Sequence, residues 1–342
     1  MAKRILVTGG AGYIGSILVR RLIENGCAVR VFDKLVFGDQ GLDGVKDQIE
    51  LVTGDIREVE PSVFEGIDAV VHLAGLSNDP TAEYNPQANE SINTGGTVAL
   101  AKQCIEAGVK RFVFASSCSV YYTLKAEDTI YDEDSPVHPE APYSSSKRNA
   151  EKGLLELAGD DFCPVILRKG TVFGASTRMR YDLVVNTFTK GAFERRMLTV
   201  HAGGRMWRPL LHIEDAASAY IAALDAPEKD VHGKIFNVLS DNYTVLQIAR
   251  EVRRALETTK GIRLDLDIQQ VGTVRSYRVA GDRFRETFGI PLDHSIAAAV
   301  GDMWDVLEEG LDTTNPIYYN IRWLELLTDM QRRLGDMGGG PL

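Results

Sequence analysis

Short runs of β-branched and apolar residues alternate with helical patterns through the first half of the chain. Predicted helices such as Ile14–Glu24 and Thr97–Ala107 are each followed by a glycine, which can end a helix. Strands that alternate with helices pair in parallel through right-handed crossovers. The sequence therefore predicts an α/β fold with a doubly wound parallel sheet. Its predicted strands are Arg4–Thr8, Ala28–Asp33, Ile49–Thr53, Ala69–Leu73, Phe112–Ala115 and Val165–Arg168.

The first predicted strand runs directly into the glycine-rich segment GGAGYIG at residues 9–15, and a helical pattern follows. These glycines fit both the GxGxxG and the GxxGxxG spacing. Glycines here allow a tight turn and a close approach of the backbone to a diphosphate, and the start of the helix attracts the anion. A dinucleotide cofactor is therefore predicted. Its expected contacts at the turn are Gly9, Gly12, Tyr13, Ile14 and Gly15.

Acidic and small residues follow the next predicted strands. Asp33 ends the second strand, where a carboxylate can accept hydrogen bonds from the adenosine ribose and would repel a 2′-phosphate. This favours NAD over NADP, although a solvated strand-end acid is the alternative for Asp33 alone. Asp55 is a predicted adenine contact or else a helix N-cap, and His72 is expected to be a buried structural residue. Further cofactor contacts are predicted at Ile56, Leu73, Ala74 and Gly75.

Composition excludes several classes of protein. The 38 Lys and Arg residues against 48 Asp and Glu residues give a net charge of −10, which disfavours nucleic-acid binding. No apolar run approaches the roughly 18 residues needed to span a bilayer, so no membrane association is expected. The four cysteines form no CxxC pair and the six histidines no HxxxH pair, so neither a disulfide framework nor a metal site is predicted. We expect a cytoplasmic protein.

A tyrosine and a lysine open the helix that follows the fifth predicted strand. Tyr143 and Lys147 are four residues apart, which places them on one helix face. A nearby ammonium group would stabilise the phenolate and bring its pKa towards working pH. A surface lysine over a half-buried tyrosine is the alternative. The serines at 116, 117 and 119 favour the catalytic interpretation, because they lie where the preceding strand ends.

The 342 residues suffice for about two domains. We expect residues 1–170 to form a Rossmann-type NAD-binding domain and residues 171–335 to form mainly a smaller α/β substrate-binding domain, with segments that return to the sheet. Residues 336–342 are expected to be a flexible tail. The elements predicted in the second half are helices Glu214–Leu224, Val245–Leu256 and Tyr319–Leu334, and strand Ile235–Val238.

Ordered motifs along nearly the whole chain resemble the extended short-chain dehydrogenase/reductase superfamily, in its NAD-dependent nucleotide-sugar epimerase/dehydratase branch. They are TGGAGYIG (8–15), GDI (54–56), HLAG (72–75), SSCSVY (116–121), YSSSK (143–147), LRKGTVFG (167–174), WRPLLHIEDAA (207–217) and VRSYRVAGDRFRETFG (274–289).

The resemblance implies a role for each matching residue. Tyr143 would be the general base, Lys147 would lower its pKa and bind ribose, and Ser117 would complete the triad. Asn93 would support the cofactor end of the site. Arg208 and Arg275 resemble two arginines that clamp a sugar-nucleotide diphosphate, with a pair of surface charges as the alternative. The remaining predicted substrate contacts are Ser77, Thr171, Arg178 and Asn186.

Several positions depart from the branch pattern. Dehydratases of this branch place an Asp-Glu pair where this chain has Cys118 and Ser119, which argues against 4,6-elimination. Tyr122 replaces a glycine and Thr171 replaces an asparagine, and both changes would reshape the sugar pocket. Arg178 and Arg180 would contact an acidic or unusual sugar, or else belong to a solvated basic loop.

These expectations favour an NAD-dependent nucleotide-sugar epimerase acting at C4 through a transient 4-keto intermediate. A nucleotide-sugar 4-dehydrogenase or 4-ketoreductase with the same triad is the nearest alternative, and a non-catalytic dinucleotide sensor is a third. The resemblance also implies a homodimer formed through the helices at 97–107 and 143–157.

Overall fold

The computed structural model describes residues 2–122, 129–271 and 276–336. Its strands are β1 (Arg4–Thr8), β2 (Ala28–Asp33), β3 (Ile49–Thr53), β4 (Ala69–His72), β5 (Arg111–Ser117), β6 (Ile130–Tyr131), β7 (Cys163–Lys169), β8 (Thr171–Phe173), β9 (Met197–Val200), β10 (Trp207–His212), β11 (Lys234–Val238), β12 (Asp241–Thr244), β13 (Asp265–Ile268) and β14 (Arg278–Val279). Its α-helices are α1 (Tyr13–Glu24), α2 (Asp79–Tyr84), α3 (Pro86–Asn89), α4 (Thr97–Glu106), α5 (Pro142–Glu156), α6 (Val184–Arg195), α7 (Ile213–Asp225), α8 (Glu228–Val231), α9 (Val245–Lys260), α10 (Asp282–Phe288), α11 (Ile296–Glu308) and α12 (Asn320–Asp336).

Seven parallel strands form the central sheet in the order β3-β2-β1-β4-β5-β7-β11. The predicted doubly wound sheet is confirmed, and all six strands predicted in the first half are present. Strand β5 continues to Ser117 and β7 to Lys169, beyond the predicted ends. The direction of winding reverses between β1 and β4, and ligands of open α/β sheets bind at such a reversal.

The sheet is buried on both faces because its strands are apolar at nearly every position. On β1, Ile5 and Val7 belong to one hydrophobic cluster while Leu6 belongs to another. This alternation follows from the two-residue period of a strand. Helix α1 covers the first face with Leu18, and helix α4 covers the second with Leu100.

The second half builds a smaller layer beside the carboxyl ends of the strands. Strand β10 pairs with β8 and β12, and β9 pairs with β13. Helices α6, α9 and α11 pack there through Val185, Val252 and Trp304. Helix α9 begins with a capping box in which the side-chain oxygens of Thr244 and Gln247 each accept a hydrogen bond from the other residue's backbone N–H.

The C-terminal helix α12 packs against the loop that follows β2. The indole N–H of Trp323 donates a 2.6 Å hydrogen bond to the carbonyl of Val36, in the loop that follows β2. Of the predicted tail at 336–342, only Asp336 falls within the described residues. Within those residues, no helix combines the length and the apolar character that crossing a membrane would require.

Candidate active site

The glycine-rich turn lies between β1 and α1, and its backbone conformation requires glycine at two positions. Gly9 has φ +75°, and a Cβ there would come within 2.6 Å of the Ala74 nitrogen. A Cβ on Gly15 would lie 2.2 Å from the Gly9 oxygen. Gly12 is the N-cap residue of α1 and has no side chain to cover the first N–H groups. The turn therefore leaves a backbone cradle open to an anion.

Asp33 ends β2 beside this cradle. Its carboxylate accepts hydrogen bonds from the backbone N–H groups of Ala11 at 3.0 Å and Leu35 at 2.8 Å. Burial raises the pKa of Asp33, and these hydrogen bonds and the charge of Arg178 oppose that rise. The carboxylate thus joins the turn to the loop after β2, where it could also accept a hydrogen bond from a ribose.

Two other strand-end residues have defined partners. Asp55 accepts hydrogen bonds from Arg57 at 2.6 Å and Lys34 at 2.7 Å, and these bonds hold its pKa well below the ordinary value. Asp55 also accepts the backbone N–H of Arg57, so it caps its own turn. His72 is fully buried between the hydroxyls of Thr8 and Thr97, and burial lowers its pKa to about 3. It is a neutral structural residue.

Ser117 ends β5, and Tyr143 and Lys147 lie in the first turns of the adjacent helix α5. Burial raises the pKa of Tyr143 to about 12, while the charge of Arg180 and a hydrogen bond with Ser117 lower it. The Lys147 ammonium lies 4.9 Å from the centroid of the Phe114 ring. Burial and the charge of Lys169 lower the pKa of Lys147 to about 7. Tyr143 is therefore close to Ser117 and Arg180, and Lys147 is close to Lys169.

A buried polar network holds α5 against the sheet. Glu151 is bound by Arg168 through two hydrogen bonds and also by Ser116 and Arg148. Arg168 in turn donates to the Tyr121 hydroxyl at 2.6 Å. The sequence analysis missed this network, although the spacing contained a sign of it. Glu151 lies four residues after Lys147 and therefore on the same helix face.

Arg180 lies near Tyr143, in the loop between β8 and α6. It makes a bidentate ion pair with Asp182, at 3.0 and 2.7 Å, and donates to the Ser77 hydroxyl at 3.2 Å. Only 7% of Arg180 and 2% of Arg178 are exposed. The alternative of a solvated basic loop is therefore wrong. Asn78 also donates to Asp182, at 2.7 Å, so the loop after β4 and the Arg180 loop are joined.

Arg178 occupies a different place, next to the glycine-rich turn. Its guanidinium carbon lies 3.9 Å from the centroid of the Phe37 ring, and its Nη2 donates to the Asn320 Oδ1 at 2.6 Å. Its charge lowers the pKa values of both Tyr13 and Asp33. The two arginines are linked through Ser77, which accepts hydrogen bonds from Arg180 and from the Asn320 amide that binds Arg178.

The two predicted asparagines are both structural. Asn186 is fully buried, donates to the Tyr13 hydroxyl and the Arg180 carbonyl, and accepts from the Gly174 N–H. All three of these groups belong to the protein, so the predicted substrate contact is corrected to a structural role. Asn93 is likewise fully buried and makes two hydrogen bonds with the backbone of Leu76. These bonds fix the backbone of the loop after β4.

A cavity of about 450 Å³ lies between α6 and β9, and its lining includes none of Ser117, Tyr143 and Lys147. Arg208 lines it and also donates to the Trp207 carbonyl at 2.8 Å. The predicted partner, Arg275, lies outside the described residues. Thr171 begins β8 and pairs with Leu210 on β10.

Comparison with known proteins agrees with this arrangement. The family model described as "NAD dependent epimerase/dehydratase family" matches residues 5–238. The chain belongs to that family. It is therefore an NAD-dependent enzyme, and the cradle of Gly9, Gly12 and Gly15 together with Asp33 fits a dinucleotide.

Named relatives of this family member have different activities. A UDP-glucose 4-epimerase of Azospirillum brasilense is 29% identical over 309 residues, covering 84% of this chain and 87% of the relative. A dTDP-D-glucose 4,6-dehydratase of Mus musculus is 29% identical over 270 residues, covering 75% and 74%. The structure of UDP-glucuronic acid 4-epimerase from Bacillus cereus, in complex with UDP-glucuronic acid and NAD, shares the fold. Its TM-score is 0.77 at 23% identity, and the match covers 90% of this chain and 99% of that one.

The sequence analysis missed one further cation of this family member. Lys169 is paired in register with Ser117 on the adjacent strand, and its ammonium donates to the Ser116 carbonyl at 2.8 Å. Burial and the charge of Arg180 lower the pKa of Lys169 to about 8. In the sequence, Lys169 directly follows a predicted strand and is the lysine of the LRKGTVFG motif.

Proposed function

We propose that the protein is an NAD-dependent nucleotide-sugar epimerase that inverts C4 of the sugar through a transient 4-keto intermediate. The observation that carries the proposal is the hydrogen bond between Ser117 and Tyr143 in a buried site beside the cofactor cradle. The A. brasilense relative, whose printed name is a UDP-glucose 4-epimerase, supports the choice of C4.

The side chains of the site would bind the C4 oxygen of the sugar and transfer its proton. NAD, when bound, supplies reversible hydride transfer. The Tyr143 phenolate would take the proton of the C4 hydroxyl, and Ser117 would donate a hydrogen bond to the same oxygen. Arg180 stabilises the phenolate electrostatically. After the 4-keto sugar has rotated to present its opposite face, Tyr143 would return the proton to the C4 oxygen. The enzyme therefore ends each cycle unchanged.

An elimination reaction is not supported by the residue after Ser117. Cys118 is fully buried, its thiol donates to the Arg168 carbonyl at 3.0 Å, and burial raises its pKa far above the ordinary value. A buried thiol of this kind is neither an acid nor a base at neutral pH. The site therefore favours proton and hydride exchange at one carbon.

The cavity beside α6 would hold the nucleotide, and Arg208 would contact its diphosphate. We propose UDP-sugars as the first class to test, since UDP appears in the printed names of the A. brasilense and B. cereus proteins. In this proposal residues 1–170 bind mainly NAD and residues 171–335 mainly the nucleotide sugar.

A homodimer through α4 and α5 is also proposed. These helices contact one another on one face of the sheet, and sedimentation at micromolar concentration tests the assembly. A monomer at that concentration would contradict the proposal.

We propose a cytoplasmic location because all four cysteines are free thiols.

Incubation with a panel of nucleotide sugars, followed by NMR of the products, tests the reaction. An epimerase converts one sugar into its C4 epimer with no net change in nicotinamide absorbance. Accumulation of NADH, or a requirement for added NADH, would instead identify a 4-dehydrogenase or a 4-ketoreductase. NAD binding without turnover of any sugar would identify a sensor.

A further inference from the structure

We infer that Arg178 binds the diphosphate of the dinucleotide and that Asn320 of the C-terminal helix holds it in place. This assignment concerns the cofactor and is independent of which sugar the enzyme turns over. It reassigns Arg178, which the sequence analysis placed with the sugar.

The position of Arg178 supports a cofactor contact. Its guanidinium stacks on Phe37, four residues after Asp33 in the loop that borders the cradle. The backbone N–H of Arg178 donates to the Ser176 hydroxyl at 3.3 Å, and that hydroxyl donates to the carbonyl of Tyr13, the first residue of α1, at 2.9 Å. The loop that carries Arg178 is therefore held against the helix start, where the diphosphate of a dinucleotide lies.

The charge of Arg178 needs a partner that the described part of the protein does not provide. Only 2% of the residue is exposed, and its Nε has no hydrogen-bond partner among the described residues. Asp182 already accepts hydrogen bonds from Nε and Nη2 of Arg180, and Asp33 already accepts hydrogen bonds from two backbone N–H groups. A buried guanidinium without a paired anion is costly, so an arriving anion would be bound strongly. Burial and Arg180 lower the pKa of Arg178 to about 9, which is consistent with such a site.

The C-terminal helix orients this guanidinium. The amide oxygen of Asn320 accepts from Arg178 at 2.6 Å, and its amide nitrogen donates to the Ser77 hydroxyl at 2.8 Å. Trp323, one turn later, is fixed to the Val36 carbonyl. Arg178 is thus held between α12 and the ring of Phe37. Its planar, permanently charged fork suits a diphosphate, which the N–H groups of α1 would contact from the other side.

Calorimetric titration of nucleotide-free protein with NAD and ADP-ribose, together with an NMR titration with adenosine, tests the inference. Arg178→Gln is expected to weaken NAD and ADP-ribose binding by about 10- to 100-fold, the effect of losing a charge-assisted hydrogen bond, and to leave adenosine within about threefold. The matched control is Arg332→Gln, which changes an exposed arginine on α12, the helix of Asn320. It should change none of the three affinities.

Two further measurements separate binding from folding. The thermal midpoint of nucleotide-free Arg178→Gln should equal or exceed that of the wild type, because an uncompensated buried charge has been removed. Asn320→Ala should lower ADP-ribose affinity more than adenosine affinity, as expected for a positioning residue. An Arg178→Gln variant that binds NAD within about threefold of wild type, or that loses adenosine affinity as much as NAD affinity, would overturn the inference.

Discussion

Glu151 and Arg168 form a buried bidentate ion pair, with Nε–Oε1 at 2.8 Å and Nη2–Oε2 at 2.7 Å. Glu151 lies one helical turn beyond Lys147 on α5, and Arg168 immediately precedes Lys169 on β7. The pair therefore joins the helix that carries Tyr143 to the strand beside Ser117. Its place in the fold makes it a determinant of both stability and site geometry.

Arg168→Met should lower the free energy of unfolding by about 3–5 kcal/mol, because Glu151 is left charged and buried. The double variant Arg168→Met, Glu151→Met should be less destabilised than the single one. Urea unfolding measures both. Lys190→Met, which breaks the more exposed pair with Glu194, should cost less than about 1 kcal/mol. A double variant as unstable as the sum of its single variants would contradict a coupled pair.

Tyr143→Phe should reduce kcat by about 10²- to 10⁴-fold, because the proton acceptor is removed. Since the aromatic ring remains, NAD affinity should stay within about threefold of wild type. Product formation by NMR and NAD titration give the two readouts. Tyr84→Phe, at an exposed tyrosine, is the control. Near-normal turnover by Tyr143→Phe would exclude it as the base.

Ser117→Ala should move the rising limb of the pH profile of kcat/KM to higher pH by about one unit. The hydrogen bond from Ser117 lowers the pKa of Tyr143 from a value that burial raises to about 12. Without this bond the phenolate is less stable, so a higher pH is needed to form it. Ser117→Thr, which retains a hydroxyl, should restore the limb. A lower plateau with an unmoved limb would show that Ser117 acts in another way.

The unfolding free energy of nucleotide-free protein should depend on pH through Lys147. Burial lowers the folded-state pKa of Lys147 to about 7 from an ordinary value of 10.5. Between these values the unfolded chain binds the extra proton, so Lys147 adds stability as the pH rises. Lys147→Met should flatten the slope between about pH 7 and pH 8 by up to about 1.4 kcal/mol per unit. Urea unfolding at both pH values measures the slope. Lys102→Met, at an exposed lysine, should have the same slope as wild type. An unchanged slope in Lys147→Met would contradict a lowered pKa of Lys147 in the folded protein.

Arg208→Gln should weaken UDP binding by about 10- to 100-fold, because a charged donor to the diphosphate is lost from the cavity. NAD affinity should not change, since the cavity is separate from the glycine-rich turn. Calorimetric titration with each ligand measures the two affinities. Arg205→Gln, at an exposed arginine nearby, is the control. Equal UDP affinity in Arg208→Gln and wild type would place the nucleotide elsewhere.

Most of the central sheet could be predicted from the sequence, because each strand is recognisable from the residues of its own short segment. Strand β1 shows an apolar run, and the glycines after it are required by backbone geometry at Gly9 and Gly15. The shared face of Tyr143 and Lys147 follows from helix geometry alone. The exact ends of β5 and β7 were less certain from sequence, because Ser117 and Lys169 are held by pairing between the two strands.

The charged loop after β8 shows where sequence reasoning failed. Arg178 and Arg180 looked equivalent, and a solvated loop was as good an interpretation as a sugar contact. In the structure Arg178 meets Asn320, which is 142 residues away, while Arg180 meets Ser77, 103 residues away. Asn186 was predicted to contact substrate, but tertiary packing turned it inward to Tyr13.

The sequence by itself determined the parallel sheet, the glycine-rich turn and the shared helix face of Tyr143 and Lys147, because each depends on periodicity, on glycine conformations or on spacing within one element. Only the tertiary structure decided which charges are buried and which groups they meet. The environment of a long charged side chain is set by segments far away in the chain, and burial determines both its pKa and its need for a partner. The glycine-rich turn is thus visible in the sequence, whereas the guanidinium of Arg178 beside it is not.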